Sequence, residues 1–205
     1  MVQPAEKGMP FVLAEAVETG RVGTKPLTMV DEVLSEAKVE RERIEVLAIG
    51  LGPGSYTGIR TGIALGQGWQ LAREVKLLGI SSAECIAAEA QELGISGQVA
   101  IVIDAQRGEF YLTLYELSRA GRRELEPLRL ASHADVQLRL AAGAQLIGPE
   151  IGISFPQGRL VLPSAGTLGR LAVGRNDFIK GEELEPIYLR QTAFVKARPP
   201  ITLPS

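Results

Sequence analysis

The residues best placed to do chemistry sit in one run, Leu47 to Ala72, where Gly52, Gly54, Ser55 and Thr57 lead into a segment carrying Arg60. Free N–H groups at the start of a helix attract an anion, and glycines let that backbone approach it closely. These four residues are therefore the candidate anion or nucleotide loop. Their spacing, G-x-G-x-x-x-G, misses the dinucleotide fingerprint by one residue, and no Gly-Lys-Ser/Thr follows as a Walker loop requires. Arg60 falls in the first turn of the expected helix, where the dipole disfavours a cation. Either a nearby carboxylate or phosphate compensates it, or solvent does.

Other chemistry-bearing residues are sparse. Asp104, at a strand end, reads as a metal-binding carboxylate or as a turn former, and turns use aspartate more often. Metal-assisted proteolysis wants paired histidines, as in H-E-x-x-H. The chain has one histidine, His133, which beside Ser132 and Asp135 reads as a helix-start residue. A Ser or Cys nucleophile would have only that ring as its base. Cys85 is the single cysteine, expected as buried apolar filler just inside a helix. These residues lead us to assign no catalytic residue, no metal ligand and no cofactor.

The elements that position the glycine loop follow from pattern. Ile44 to Ile49 is an apolar, β-branched run of strand length. Gly52-Pro53-Gly54 forces a turn, Ser55 or Thr57 can cap a helix after it, and Ile59, Ile63, Leu65, Trp69 and Leu71 recur at roughly helical spacing. Within that helix Gly58, Gly62 and Gly66 stand four residues apart, with Gly68 nearby. Each glycine costs about 1 kcal/mol against alanine, so the set sums to about 4 kcal/mol. A stripe without side chains lets another backbone come close. That backbone is either the chain's own sheet or a helix of a second protein.

Alternation continues on both sides. Phe11 to Val17 reads as a strand and Lys25 to Ala37 as a helix, with Leu27, Val30, Leu34 and Ala37 on one face and Thr24 as a cap. Val75 to Ile80 reads as a strand, and Ser81 with Glu84 as a capping box opening a helix through Leu93. Val99 to Ile103 and Phe110 to Tyr115 flank a turn at Ala105 to Gly108, which suggests a hairpin with Arg107 and Glu109 at its tip. A short helix from Ser132 to about Ala142, strands at Ala144 to Ile147 and Leu160 to Leu162, and a helix capped by Ser164 complete the pattern, with a loose tail after Arg198. The mixture implies α/β layers with a mixed sheet.

Composition narrows the function classes. The 205 residues are 45% hydrophobic and 22% charged, globular in balance and large enough for a core without disulfides. No apolar run reaches the ~18 residues needed to span a bilayer, so the cytoplasm is the expected address. A net charge of −2 with arginines mixed among glutamates lacks the basic stripe of a protein that grips nucleic acid alone.

GPGSYTGIRTGIALGQGWQLA followed by LLGISSAECIA resembles the signature of the TsaB family of bacterial tRNA threonylcarbamoyladenosine biosynthesis proteins. IDAQRGEFYLTLYE and LEPIYLR resemble two further family segments, and the similarity spans Phe11 to Arg190. The resemblance implies the two-lobed actin-like, Hsp70-like fold, with an N-terminal lobe over 1–97 and a C-terminal lobe over 98–205, divided near Gly94 to Gly97. It implies a non-catalytic subunit that binds and activates the catalytic subunit TsaD together with the ATPase TsaE, meets tRNA only through that complex, and forms a homodimer when alone. The docking surface would comprise Leu27, Val30 and Leu34 of one helix and Gly58, Arg60, Gly62 and Gly66 of the other. Tyr188 and Arg190 would pack the C-terminal segment back on the sheet. A nucleotide-binding, kinase-like ATPase of the same fold is the alternative, and relatives labelled glycoproteases raise a third. The opening, Met1 to Gly8, resembles the family's second strand and its turn, so its first strand with the Asp-Thr-Ser loop is expected to be missing. Val22-Gly23-Thr24 stands where the family often has His-Ser-Glu.

Overall fold

The computed structural model of the chain describes residues 1–3, 11–17 and 25–189. Two short strands, β1 (Val2–Gln3) and β2 (Phe11–Val12), pair antiparallel, Val2 opposite Val12. The strand expected to reach Val17 stops at Val12. The N-terminal ammonium prolongs this ladder by donating to the Ala14 carbonyl at 2.7 Å. Burial there pulls its pKa below the usual value, against a smaller opposing pull from Glu15.

Helix α1 (Pro26–Ala37) starts at a proline, whose missing N–H is harmless in a first turn. It ends at Lys38 in the left-handed region, with Val39 N–H returning to the Leu34 carbonyl. Lys25 precedes the helix and makes no side-chain cap. The expected cap, Thr24, lies outside the described residues.

Strand β3 (Val46–Gly50), helix α2 (Tyr56–Ala72) and strand β4 (Lys76–Ile80) form a parallel β-α-β unit. Ser55 caps α2 by accepting from Gly58 N–H at 3.3 Å. Ile49, Ile59, Ile63, Val75 and Leu77 make the core of this unit. Helix α3 (Ser82–Glu92) follows, capped by Ser81. Its Glu84 does not close the expected box. The carboxylate instead faces the guanidinium groups of Arg175 at 3.5 Å and Arg122 at 4.0 Å, which attract it more strongly than a backbone N–H.

Five strands make the larger sheet. β5 (Gly97–Asp104), β6 (Glu109–Ser118) and β7 (Gly121–Ser132) form an antiparallel meander. Helix α4 (His133–Ala141) leads to β8 (Gln145–Gly148), and a short α5 (Ile151–Ser154) leads to β9 (Arg159–Leu160). The strand order is β7-β6-β5-β8-β9, with β8 parallel to β5 and to β9. Strand β5 is covered on both sides. Val99, Ile101 and Ile103 meet Ile86, Ala87 and Ala90 of α3, while Ala100 and Val102 meet Val136 and Phe155 on the opposite face. A strand buried on both faces needs this unbroken apolar run.

Helix α6 (Ala165–Ala172), capped by Ser164 as expected, straddles the smaller strand pairs. A Cβ on Gly169 would overlap Val2, one on Gly166 would stand 3.1 Å from Val12, and Leu168 reaches 3.5 Å from the place of a Cβ on Gly50. One helix thus covers β1–β2 and β3, which share no backbone pairing. After α6, Ile179 bridges Leu77, and Ile187 N–H donates to the Leu51 carbonyl at 2.8 Å. These two isoleucines return the C-terminal segment to the sheet.

Candidate functional site

The glycine row of α2 is open at one end and closed at the other. Gly66 is buried, and a Cβ there would overlap Ile49 Cδ1. At Gly62 a Cβ would rest 3.7 Å from Ile49 Cγ2, an ordinary contact. Gly58 is exposed and its Cβ would meet only the capping Ser55. The chain's own strand thus fills the inner end of the stripe, and the outer end is bare.

Helix α1 borders the same cavity as α2 through Val30. Leu34 is its only buried residue, Val30 is half-buried, and Leu27 is 60% exposed. Leu34 anchors the helix, and the rest of its apolar row lies on the surface. Val30 lines one cavity together with Leu65 and Trp69 of α2. The ion pair between Arg41 and Asp31 ties α1 to the turn after it.

Arg60 is held by neither of the expected devices. Its guanidinium lies 4.0 Å over the ring of Tyr56, one helical turn earlier, and its Nε donates to Tyr188 Oη at 3.2 Å. The two tyrosine rings stack at 5.8 Å. Ring faces supply the negative potential that an acidic group would otherwise provide. The Tyr56 spacing was visible in the sequence, but Tyr188, 128 residues away, was not. Tyr188 thus packs on the start of α2, while Arg190 lies outside the described residues.

The loop before α2 borders a cavity of about 1460 Å³. Gly52 is buried with φ of +89°, its Cβ position 2.6 Å from Ile59 Cδ1, so the turn requires glycine there. Its carbonyl accepts from Ser82 N–H at 2.8 Å. Gly54, Ser55 and Thr57 are exposed, and Ser55 is engaged as the cap. Across the cavity stand Asp104, Arg107 and Glu150. The Asp104 carboxylate accepts from Gln106 N–H at 2.8 Å and Gln106 Nε2 at 3.0 Å, the turn-forming role. That bond steadies a tip in which Gln106 and Arg107 both take positive φ. Trp69 lines the cavity and packs on the β3–β4 core, and its buried Nε1 has no hydrogen-bond partner among the described residues.

His133 starts α4 and stacks on Phe155 with centroids 4.6 Å apart, while Ser132 and Asp135 close a capping box in front of it. Among the described residues no three His, Cys, Asp or Glu side chains converge as a metal site. No helix of the described chain is long and apolar enough to cross a membrane. Cys85 is buried, and desolvation pushes its thiol up to about 11.

The chain is similar to known proteins. The sequence model of the family described as "TsaD: tRNA N6-adenosine threonylcarbamoyltransferase" matches residues 25–155. The tRNA threonylcarbamoyladenosine biosynthesis protein TsaB of Escherichia coli is 29% identical over 92% of this chain and 87% of its own length. Its namesake from Haemophilus influenzae is 34% identical over 49% of this chain and 41% of its own length. Among solved structures, one titled YeaZ from Pseudomonas aeruginosa superposes with a TM-score of 0.67 and 28% identity, covering 80% of this chain and 83% of that one.

Proposed function

Because the chain belongs to the TsaB family and has the family's actin-like fold, we propose that its part in tRNA threonylcarbamoyladenosine biosynthesis is that of a non-catalytic subunit. It binds and activates a TsaD-like catalytic subunit, a TsaE-like ATPase joins them, and tRNA is met through the complex. The observation that carries this reading is the cavity that Val30 of α1 lines together with the bare positions Gly58 and Gly62 of α2. A helix of 12 residues with a single buried side chain is marginal by itself. Its exposed Leu27, the half-buried Val30, the open positions at Gly58 and Gly62, and the clamped Arg60 together offer apolar relief for a second helix. Arg60 at the rim adds a cation held in one orientation.

Co-elution of the purified chain with TsaD in size-exclusion chromatography at micromolar concentration is the expected outcome. Leu27→Asp places an unpaired charge on that face while leaving the core untouched, so it should abolish co-elution without lowering the melting temperature. Two folded proteins that elute apart, or an L27D variant that still co-elutes, would reject the reading. The cavity wall formed by Gly54, Ser55, Asp104 and Arg107 favours nucleotide binding as a second reading. Calorimetric titration with Mg-ATP tests it, and tight binding with turnover would put a kinase-like ATPase first.

A further inference from the structure

From Ile179 to Tyr188 the chain runs back along the β-α-β unit and is fastened to it every few residues. Ile179 N–H donates to the Leu77 carbonyl at 3.0 Å, and Ile187 N–H to the Leu51 carbonyl at 2.8 Å. Between them a short helical turn (Gly181–Glu183) meets α2. Gln67 Nε2 donates to the Gly181 carbonyl at 2.8 Å, and Gly181 N–H donates to Gln70 Oε1 at 2.7 Å. Two side chains of α2 thus hold both backbone groups of one residue. A Cβ on Gly181 would stand 3.0 Å from Gln70 Oε1 and 3.2 Å from Gln67 Cγ, so the clamp closes most tightly on a glycine.

The last attachment is Tyr188, whose ring stacks on Tyr56 and whose hydroxyl accepts from Arg60 Nε. Arg60, the buried Ile63, Gln67 and Gln70 recur along α2 at i, i+3, i+7 and i+10, one stripe of a helix. The strap therefore follows a single face of α2, with the clamp at one end and the Arg60 backbone about 10 Å away at the other. Its hold on the core is thin. Of residues 180–189 only Gly181 and Leu184 are buried. A segment with few buried side chains and a handful of point attachments opens as a unit more readily than the sheet beneath it.

We propose that this strap is a latch on the proposed docking face: closed, it fixes Arg60 in the orientation a partner reads, and open, it frees that side chain. Gln67, Gln70 and Tyr188 are positioning residues that act through Arg60. With Nε given to Tyr188 and the guanidinium laid over Tyr56, Arg60 keeps its two Nη groups, a fork that matches a carboxylate on the partner. The coupling rests on the proposed docking of TsaD, and it is reciprocal. A partner that binds only the closed strap holds it closed, and a strap left open weakens the partner in proportion to the fraction still closed.

The test reads amide exchange in the full chain by NMR and its affinity for TsaD by calorimetry. Gln67→Ala/Gln70→Ala removes the clamp and leaves Arg60, Tyr56 and Tyr188 in place. In the free variant, exchange at Gly181 and Ile187 should quicken together by about 10-fold or more, and the Arg60 Nε–H resonance should shift. TsaD should bind this variant about 10-fold more weakly, and on the wild-type chain it should slow exchange at the same two amides. Tyr188→Phe keeps the ring and removes the acceptor of Arg60 Nε, so it should weaken TsaD at an unchanged melting temperature. Faster exchange at Gly181 alone, or unchanged affinity in either variant, overturns the latch. Val136→Ala lowers stability in a separate core cluster and should leave the affinity for TsaD as it was. A loss there equal to that of the clamp variant assigns the effect to general stability and overturns the latch as well. A wild-type chain that does not bind TsaD overturns the docking and the coupling, while exchange in the free chain still decides whether the strap opens as one, so the two readings fail separately.

Discussion

Replacing Gly62 with alanine separates the two demands placed on α2. The new methyl would stand 3.7 Å from Ile49 Cγ2, so nothing need move to admit it. The helix meanwhile loses a glycine, worth about 1 kcal/mol at an interior position. One added van der Waals contact contributes only ~0.1–0.2 kcal/mol, so propensity decides the sign. The variant should be more stable by about 1 kcal/mol, which for a chain of this length raises the melting temperature by about 2–4 °C. Urea denaturation with an unchanged m-value, alongside a thermal scan, measures this. If α2 docks a partner helix as proposed, the same methyl narrows the groove beside Ile49, and an affinity for TsaD weakened by about 10-fold, or ~1.4 kcal/mol, is expected. A destabilised variant would show that the position is not open. A stabilised variant that binds TsaD as before would refute the placement of the interface.

The neighbouring Gly66→Ala substitution should do the opposite, losing about 1–3 kcal/mol to overpacking against Ile49, less the propensity gain, as urea denaturation will read. Asp177 is held down to about 2, first by its hydrogen bond from Arg175. A depressed carboxyl stabilises the fold above its ordinary value near 4 and loses that contribution as pH falls through about 2. The stability difference between wild type and Asp177→Asn should therefore vanish over that window. Cys85, with its thiol near 11, should resist a thiol reagent at pH 8 until the chain unfolds. Because the unfolded thiol ionises first, stability should fall as pH climbs from about 9 to 11, and Cys85→Ala should remove that part of the fall.

Elements whose pattern is local were legible in the sequence. The α2 cap, the capping box of Ser132 and Asp135, and the β5–β6 hairpin all follow from neighbouring residues. Strand β7 was not foreseen, because GRRELEPLRLAS is charged, contains Pro127 and lies at the sheet edge, where alternation against solvent is weak. Glu84 reads as a box residue until Arg122 and Arg175 arrive from distant parts of the chain. The proposed docking face was half legible. Spacing found the glycine row, but only packing tells that Gly66 and Leu34 belong to the interior while Gly58 and Leu27 do not. The clamp on Arg60 needed Tyr188, whose proximity no spacing announces.

The position of α6 has a consequence for synthesis. The strands it covers, β1, β2 and β3, leave the ribosome more than a hundred residues before Leu168 and Gly169 do. Until then their apolar sides have no lid, and such late long-range closure slows folding and exposes the nascent chain to misassociation. Arrest of translation before Ala165 should leave the first half protease-sensitive, however well its own β-α-β unit is encoded.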